Sequence, residues 1–597
     1  MPQKPKPYSD QIAARLERVR REMRKQKLDA LLVRSTDRWL NEYVPTSESV
    51  RVFMSGFTGS MGEVLVTQDR AYLAVDGRYY LQADREVDGA LYDVLRVPPA
   101  TPIDTTIAKK LAELSSAKKS KKWCVGYDPT QITPAELSNF EKECPNVTLV
   151  AAAPSPASAL MQSAGGVPSN GSGAKIRALD EARVGATVRQ KLEVIAEKLS
   201  TLGVDALFVQ KLDEIAYLTN LRGDELPYQA TFKSAALVTA DCIYVGLEPG
   251  RDAGDAAKAR SDLVFTTEAD LYARMGRGRR KLSRVGVDRS QNTRAAILAI
   301  EATGATAVEV SSPIGPMKAR KNPAELRVMV AAFARADLVV DQATRWLCDA
   351  VVAGRRVSEA VFADKVHELF TASGATGLSF RVISAAGKNG AIIHYSEPSP
   401  RRFIRRGELM LLDTGAYYEE GYATDLTRTF LVDAPSAVGT ADQRRYYTLV
   451  LKSAIAGMCA VVPEGAKGYQ IDALCRAPLW AAGLDFNHGT GHGVGVNVHE
   501  FPPRVGPNAS AIVEEGHVFS IEPGVYLKSF GGIRIENLCT IRKAPRRPGF
   551  LEVVPLTFSP LDERLIEPEL LTVAERKWLA SYSPKKKRRA SRSSART

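Results

Sequence analysis

Histidine is scarce in this chain. Its 597 residues include six, and none precedes His367. Imidazole chemistry, whether proton transfer or metal binding, is therefore excluded from the N-terminal half and confined to the rest. Cysteine is scarce too, with seven residues that are scattered, odd in number and without a C-x-x-C pair. That pattern excludes a disulfide framework and a thiolate zinc cage, and it points to a reducing, intracellular compartment. No apolar run approaches the ~18–20 residues that cross a bilayer, and none follows the opening Met1-Pro2-Gln3-Lys4-Pro5-Lys6. The expectation is a soluble cytoplasmic protein with no membrane contact and no cleaved secretion signal.

Acidic residues are in deficit, and the net charge is +13. The excess is concentrated at one end. Residues 583–597 carry seven basic side chains (Lys585, Lys586, Lys587, Arg588, Arg589, Arg592, Arg596) and no acidic one, which leaves +6 on the rest. Such a tail has too little apolar surface to fold and is expected to be disordered. Its functional readings are a nuclear-import signal or a polyanion-binding arm, set against a plain solvated coil. The body is too mildly basic for nucleic-acid binding to be expected outside the tail.

A chain this long exceeds one hydrophobic core and should hold about three or four domains. Leu16–Arg24 has helical spacing and leads into the buried-strand pattern Leu28–Val33; Leu192–Leu202 leads likewise into Val204–Val209. Leu65-Val66-Thr67 recurs as Leu237-Val238-Thr239, and Asp37 has its counterpart in Asp213. Two diverged copies of one α/β domain are expected, at 1–150 and 174–317, joined by an Ala/Ser/Pro/Gly-rich linker at 151–173. After Pro323 comes a long helical pattern, and from Gly407 onward strands bounded by Gly and Pro read as antiparallel hairpins. An α+β domain is expected over 318–582, then the basic tail.

The chemistry-bearing residues fall in this last domain. They occur as Leu412-Asp413-Thr414-Gly415, Asp425-Leu426-Thr427-Arg428-Thr429, His488-Gly489-Thr490-Gly491-His492-Gly493, Ile521-Glu522-Pro523-Gly524 and Arg534-Ile535-Glu536-Asn537. Asp413, Asp425, His492, Glu522 and Glu536 offer four carboxylates and one imidazole, a set that suits Mn, Mg or another hard cation. Four carboxylates balance two divalent ions, so a bridged metal pair with an acidified water between is the natural occupant. Gly489–Gly495 is no phosphate cradle, because Val496 stands where the third glycine belongs and no P-loop lysine follows.

These motifs resemble the metallopeptidase family with the pita-bread fold, whose members include methionine aminopeptidase, prolidase, creatinase and aminopeptidase P. Ser55-Gly56-Phe57-Thr58-Gly59-Ser60, Asp76-Gly77-Arg78-Tyr79, Asn220-Leu221-Arg222-Gly223 and Lys321-Asn322-Pro323-Ala324-Glu325 extend the resemblance to the three-domain aminopeptidases P over nearly all of the chain. The resemblance implies two tandem creatinase-N-like α/β domains, then a catalytic domain with a curved antiparallel sheet. It implies that Asp413 binds one metal, that His492 and Glu522 bind the other, and that Asp425 and Glu536 bridge. It assigns His394, His488 and His499 to substrate binding and proton transfer, with His367 and His517 left as structural. The implied reaction is removal of an N-terminal residue ahead of proline by a hydroxide held between two ions, most simply Mn2+, in a homodimer. Its rivals are a dipeptide-limited prolidase and a non-catalytic binding scaffold on the same fold.

Strand geometry adds three expectations. Asp413 facing Asp425 would centre a hairpin on Glu419, and Glu522 facing Glu536 would centre one on Ser529. The Asp413–Asp425 interval is one residue longer than the family pattern, and a residue added inside a strand would rotate one aspartate off the metal face. Arg534, two residues before Glu536 and on its face, should hold that carboxylate ionised, with Arg428 supporting Asp425.

Overall fold

The computed structural model describes residues 8–98, 101–116, 122–165, 175–254, 261–279 and 281–582. The basic tail and the glycine-rich part of the expected linker lie outside them. No helix among the described residues is long and apolar enough to cross a membrane, and all seven cysteines are free thiols. The chain divides into two compact units: Met1–Ala178 with Ala186–Pro227 and Thr231–Ile314, and Leu179–Gly185 with Tyr228–Ala230 and Gly315–Thr597.

The first unit contains the duplication. Its two six-stranded sheets have the same strand order, by first residue Tyr92, Ala71, Glu63, Ala30, Trp123, Val147 in one and Leu263, Ile243, Ser234, Ala206, Arg284, Thr306 in the other. Antiparallel and parallel neighbours also correspond. Val33 pairs with Val64, and at the equivalent place Val209 pairs with Ala236. Local polar contacts are copied as well. Thr67 donates to Asp69 and Thr239 to Asp241, each at 2.8 Å, and Thr133 and Thr293 each cap the helix that follows. A helix at Ser9–Lys25 buries Ile12, Leu16, Val19 and Met23, one helical stripe, against the first sheet.

The expected linker begins later than its composition suggests. Ser155 caps a helix at Pro156–Ser163, whose Leu160 and Met161 pack into the first domain's core. Proline, serine and glycine make the stretch read as linker, but alanine favours helix, Pro156 suits the first helical position, and Leu160 and Met161 give that helix an apolar face to bury.

In the second unit, Asn322 caps a helix at Pro323–Val352. That helix and Glu359–Ala372 cover one face of a three-stranded antiparallel sheet, Ile383–Ala386, Leu409–Thr414 and Leu426–Leu431. Met410, Leu412, Leu426 and Phe430 point into that covered core with Val339, Leu347 and Phe362. A six-stranded antiparallel sheet follows, ordered by first residue Val461, Phe550, Asn537, Val518, Gly491, Glu500. Helices Ala441–Met458 and Gly468–Trp480 pack on it through Leu451, Ile471 and Leu479. The alternate residues left on the opposite faces carry the polar side chains of the motifs.

Candidate active site

Asp413 lies one residue before the end of the strand Leu409–Thr414 and pairs with Thr427. Asp425 lies two residues before Thr427, so both aspartates project from the face opposite the helices. The expected Asp413–Asp425 pairing is thus corrected by two residues. One register runs unbroken from Leu409 opposite Leu431 to Tyr417 opposite Ala423. The additional residue therefore sits in the turn between Tyr417 and Ala423, where Gly421 has φ +62°, and neither aspartate is rotated away.

Glu522 and Glu536 come from the other sheet. Ile521 pairs with Asn537 and Gly524 with Arg534 in one continuous register, so Glu522 falls opposite Glu536 as the spacing anticipates. His492 lies in the short strand Gly491–Gly493, where the register shifts between His492 and Gly493. Such a bulge re-aims a side chain. A Cβ at Gly491 would lie 1.8 Å from the Ser520 carbonyl oxygen, so the glycines around His492 permit close strand approach.

The side chains converge. Single ligand atoms of Asp425, His492 and Glu536 all lie within 4.8 Å of one another. His492 Nε2 is 3.5 Å from Asp425 Oδ2 and 3.5 Å from Glu522 Oε1. Its Nδ1 is 3.2 Å from the Gly493 carbonyl; a carbonyl only accepts, so Nδ1 carries the proton and Nε2 presents its lone pair to the carboxylates. Burial pushes the Asp425 and Glu522 carboxyls well above the usual range, with Glu536 and Asp413 adding repulsion. Burial and Asp413 likewise push Glu536 up to about 8. Asp413 Oδ1 is buried and accepts no hydrogen bond.

Two arginines act differently from expectation. Arg534 Nη2 pairs with Asp413 Oδ2 at 2.6 Å; it also favours ionised Glu536, as expected, but burial and Asp413 outweigh it and Glu536 stays raised. Glu536 takes its contact from Thr427, whose Oγ1 donates to Oε2 at 2.7 Å. Arg428 does not support Asp425. Three residues away, it points to the opposite face and is spent on the carbonyls of Thr427, Glu536, Ser559 and Pro560.

Tyr526 joins the site without having been singled out in the sequence. Arg534 Nη1 donates to its hydroxyl at 2.8 Å, and that hydroxyl lies 2.9 Å from His488 Nε2. His488 Nδ1 is 2.7 Å from the Gly489 carbonyl and must donate to it. In neutral His488 the Nε2 therefore accepts from Tyr526, giving the chain Arg534 to Tyr526 to His488. The available signal was parity: Tyr526 lies four residues after Glu522, on the same strand face.

The His499 ring meets the His492 ring edge-on, with centroids 4.3 Å apart. The loop presenting it is held by buried Glu500, which accepts from Lys318 Nζ at 2.8 Å and from the Asn497 amide at 3.1 Å. His394 follows Ile393, whose carbonyl accepts from Arg534 Nη1 at 3.3 Å. His367 is exposed on a helix, and His517 is buried, with its Nδ1 accepting from the Glu514 amide at 3.2 Å and its pKa lowered to about 3 by burial beside Lys321 and Arg320. Both lie outside the cluster.

The arrangement fits a pair of divalent cations. Four carboxylates, those of Asp413, Asp425 and Glu536 buried and that of Glu522 half-buried, face one arginine that is already paired; the His492 tautomer turns the Nε2 lone pair toward Asp425 and Glu522, and the Asp413 oxygen without a hydrogen bond is a ready ligand.

Comparison with known proteins bears on the same residues. Residues 328–543 match Metallopeptidase family M24, and residues 15–157 and 167–325 each match a Creatinase/Prolidase N-terminal domain. The Probable Xaa-Pro aminopeptidase P of Colletotrichum graminicola is 34% identical over 605 residues, covering 95% of this chain and 94% of the relative; that of Tuber melanosporum is 33% identical over 599 residues, with the same coverage. The crystal structure of X-prolyl aminopeptidase from Caenorhabditis elegans, described as a cytosolic enzyme with a di-nuclear active site, superposes with a TM-score of 0.85 at 27% identity, covering 96% of this chain and 94% of that one. Prolidase from Pyrococcus horikoshii superposes with a TM-score of 0.50 at 25% identity and covers 62% of this chain, 99% of its own. The chain belongs to metallopeptidase family M24, in its three-domain Xaa-Pro aminopeptidase branch.

Proposed function

We propose that the protein is a metal-dependent aminopeptidase that releases the N-terminal residue from peptides with proline second. The observation that carries this reading is the convergence of Asp425, Glu522 and Glu536 on His492, beside Asp413, with one arginine and that one already paired with Asp413. Asp413 would hold one divalent ion, His492 and Glu522 the other, with Asp425 and Glu536 between them. Hard oxygen donors make Mn2+ the first choice. When bound, such a pair supplies a Lewis acid for the scissile carbonyl and an acidified water for attack.

The protein's own groups handle substrate and protons. Arg534 fixes Asp413 and Tyr526 together, and Tyr526 in turn fixes the His488 ring. Tyr526 and His488, joined at Nε2, are the candidates to stabilise the oxygen that gains charge at the scissile carbon, and His394 and His499 are the candidates to protonate the departing prolyl nitrogen. An Xaa-Pro bond lacks an N–H, so recognition must rest on the ring and the free amino group. The reading includes a homodimer in the cytoplasm, in keeping with the nematode relative described as cytosolic.

The test is substrate length and sequence. Mn2+-loaded protein should remove one residue from an Xaa-Pro-Xaa tripeptide, cleave the Xaa-Ala-Xaa analogue little, and treat an Xaa-Pro dipeptide no better than the tripeptide. Cleavage confined to the dipeptide would favour prolidase. No cleavage by protein shown to carry metal would leave a binding scaffold.

A further inference from the structure

Asp425 and Glu536 belong to different sheets, so something must hold the two sheets in register where the site straddles them. Three contacts tie Glu536 to the neighbouring sheet. Its amide donates to the Thr427 carbonyl at 3.2 Å, its Oε2 accepts from Thr427 Oγ1 at 2.7 Å, and its own carbonyl accepts from Arg428 Nη1 at 2.6 Å. The same Nη1 donates to the Thr427 carbonyl at 2.8 Å. Arg428 thus pins the backbone of both residues from behind the site, and it is 2% exposed.

The rest of that guanidinium is held by the C-terminal segment, which lies beyond the stretch that matches the peptidase family. Nε donates to the Pro560 carbonyl at 3.1 Å, and Nη2 donates to the Ser559 carbonyl at 2.8 Å and to the Tyr582 hydroxyl at 2.8 Å. Tyr582 also accepts from Asn537 Nδ2 at 2.9 Å, and Asn537, the neighbour of Glu536, donates to the Thr557 carbonyl at 2.6 Å. Trp578 stacks on the Tyr582 ring with centroids 4.9 Å apart. A planar fork of five donors is thereby saturated in one geometry, which no lysine could reproduce.

We infer that the C-terminal segment Thr557–Tyr582, acting through Tyr582 and Arg428, is a positioning device that holds Glu536 against Thr427 and so sets the affinity of the site for its metal pair. The inference rests on the dinuclear reading above. A partner hydrogen-bonded to a ligand residue, as Arg428 is to Glu536, is worth about 10–100-fold in metal affinity, and Tyr582 acts one step behind it.

The experiment compares four full-length or minimally altered chains: wild type, Tyr582→Phe, Arg428→Lys, and a chain ending at Tyr582. Each is stripped and titrated with Mn2+ by calorimetry, and the thermal midpoint of the metal-free form is recorded. Tyr582→Phe should weaken Mn2+ binding by about 10-fold and Arg428→Lys by up to about 100-fold, both beyond any loss of the metal-free midpoint. The chain ending at Tyr582 should match wild type, whereas a further chain ending at Ser581 should behave like or worse than Tyr582→Phe. Unchanged Mn2+ affinity in Tyr582→Phe and Arg428→Lys would overturn the inference, as would a loss that only tracks the metal-free midpoint. Wild-type protein that binds no Mn2+ would overturn the dinuclear reading itself, so the two failures are distinguishable.

Discussion

Two buried charge clusters in this chain solve opposite problems. In the first domain Arg34, 6% exposed, pairs with both Glu63 and Glu136, so one internal cation serves two carboxylates. In the catalytic unit Asp413, Asp425, Glu522 and Glu536 share one arginine, which is already paired with Asp413. Buried charge that is matched from within is part of the fold, whereas buried charge left unmatched needs an external cation. The second copy of the N-terminal domain carries Gln210 where the first has Arg34 and Ala235 where it has Glu63, so that domain folds without the charged cluster. No such substitution is open to the catalytic cluster if it is to hold metal.

The widest gap between the clusters should open on metal removal. Chelation should abolish peptidase activity and Mn2+ should restore it, and a stopped assay in metal-free buffer checks this; full activity without metal would erase the distinction. Alanine at His394 or His488 should lower turnover by roughly 10²–10⁴ while metal content stays unchanged. Metal lost together with activity would move those residues into the ligand set.

The first cluster should respond in stability alone. Arg34→Met strands Glu63 and Glu136 and should cost about 3–5 kcal/mol in denaturant unfolding, with activity per folded molecule retained. Burial pushes Glu63 up to about 7, despite Arg34. A carboxyl raised in the folded state favours its protonated form, so its contribution is full below the ordinary carboxylate range and is lost as pH rises through about 7. Glu63→Gln should therefore flatten the fall in stability between about pH 4.5 and 7. An unaltered slope would show that Glu63 is not the group responsible.

Much of this was legible in the residues, and the misses share a cause. The duplication was visible because matching apolar strands recur, and the structure repeats even the Thr67–Asp69 and Thr239–Asp241 contacts. Arg534 was placed by same-face parity with Glu536. Applied to Asp425, the same rule gives Thr427 and excludes Arg428; applied to Glu522, it gives Ser520, which donates to Glu522 at 3.3 Å, and Tyr526. Charge points to the arginines, and Arg534 does hold Asp413, but the neutral hydroxyls of Thr427 and Ser520 are what hold Glu536 and Glu522. The role of residues 557–582 was not legible, because a segment joined to the site through backbone carbonyls and the single distant hydroxyl of Tyr582 leaves no motif.

The most direct measurement is metal stoichiometry. Wild-type protein dialysed against Mn2+ and then analysed for bound metal should carry about two ions per chain, and Asp425→Asn should carry one or none. No bound metal in folded wild type, or two ions retained by Asp425→Asn, would contradict the account.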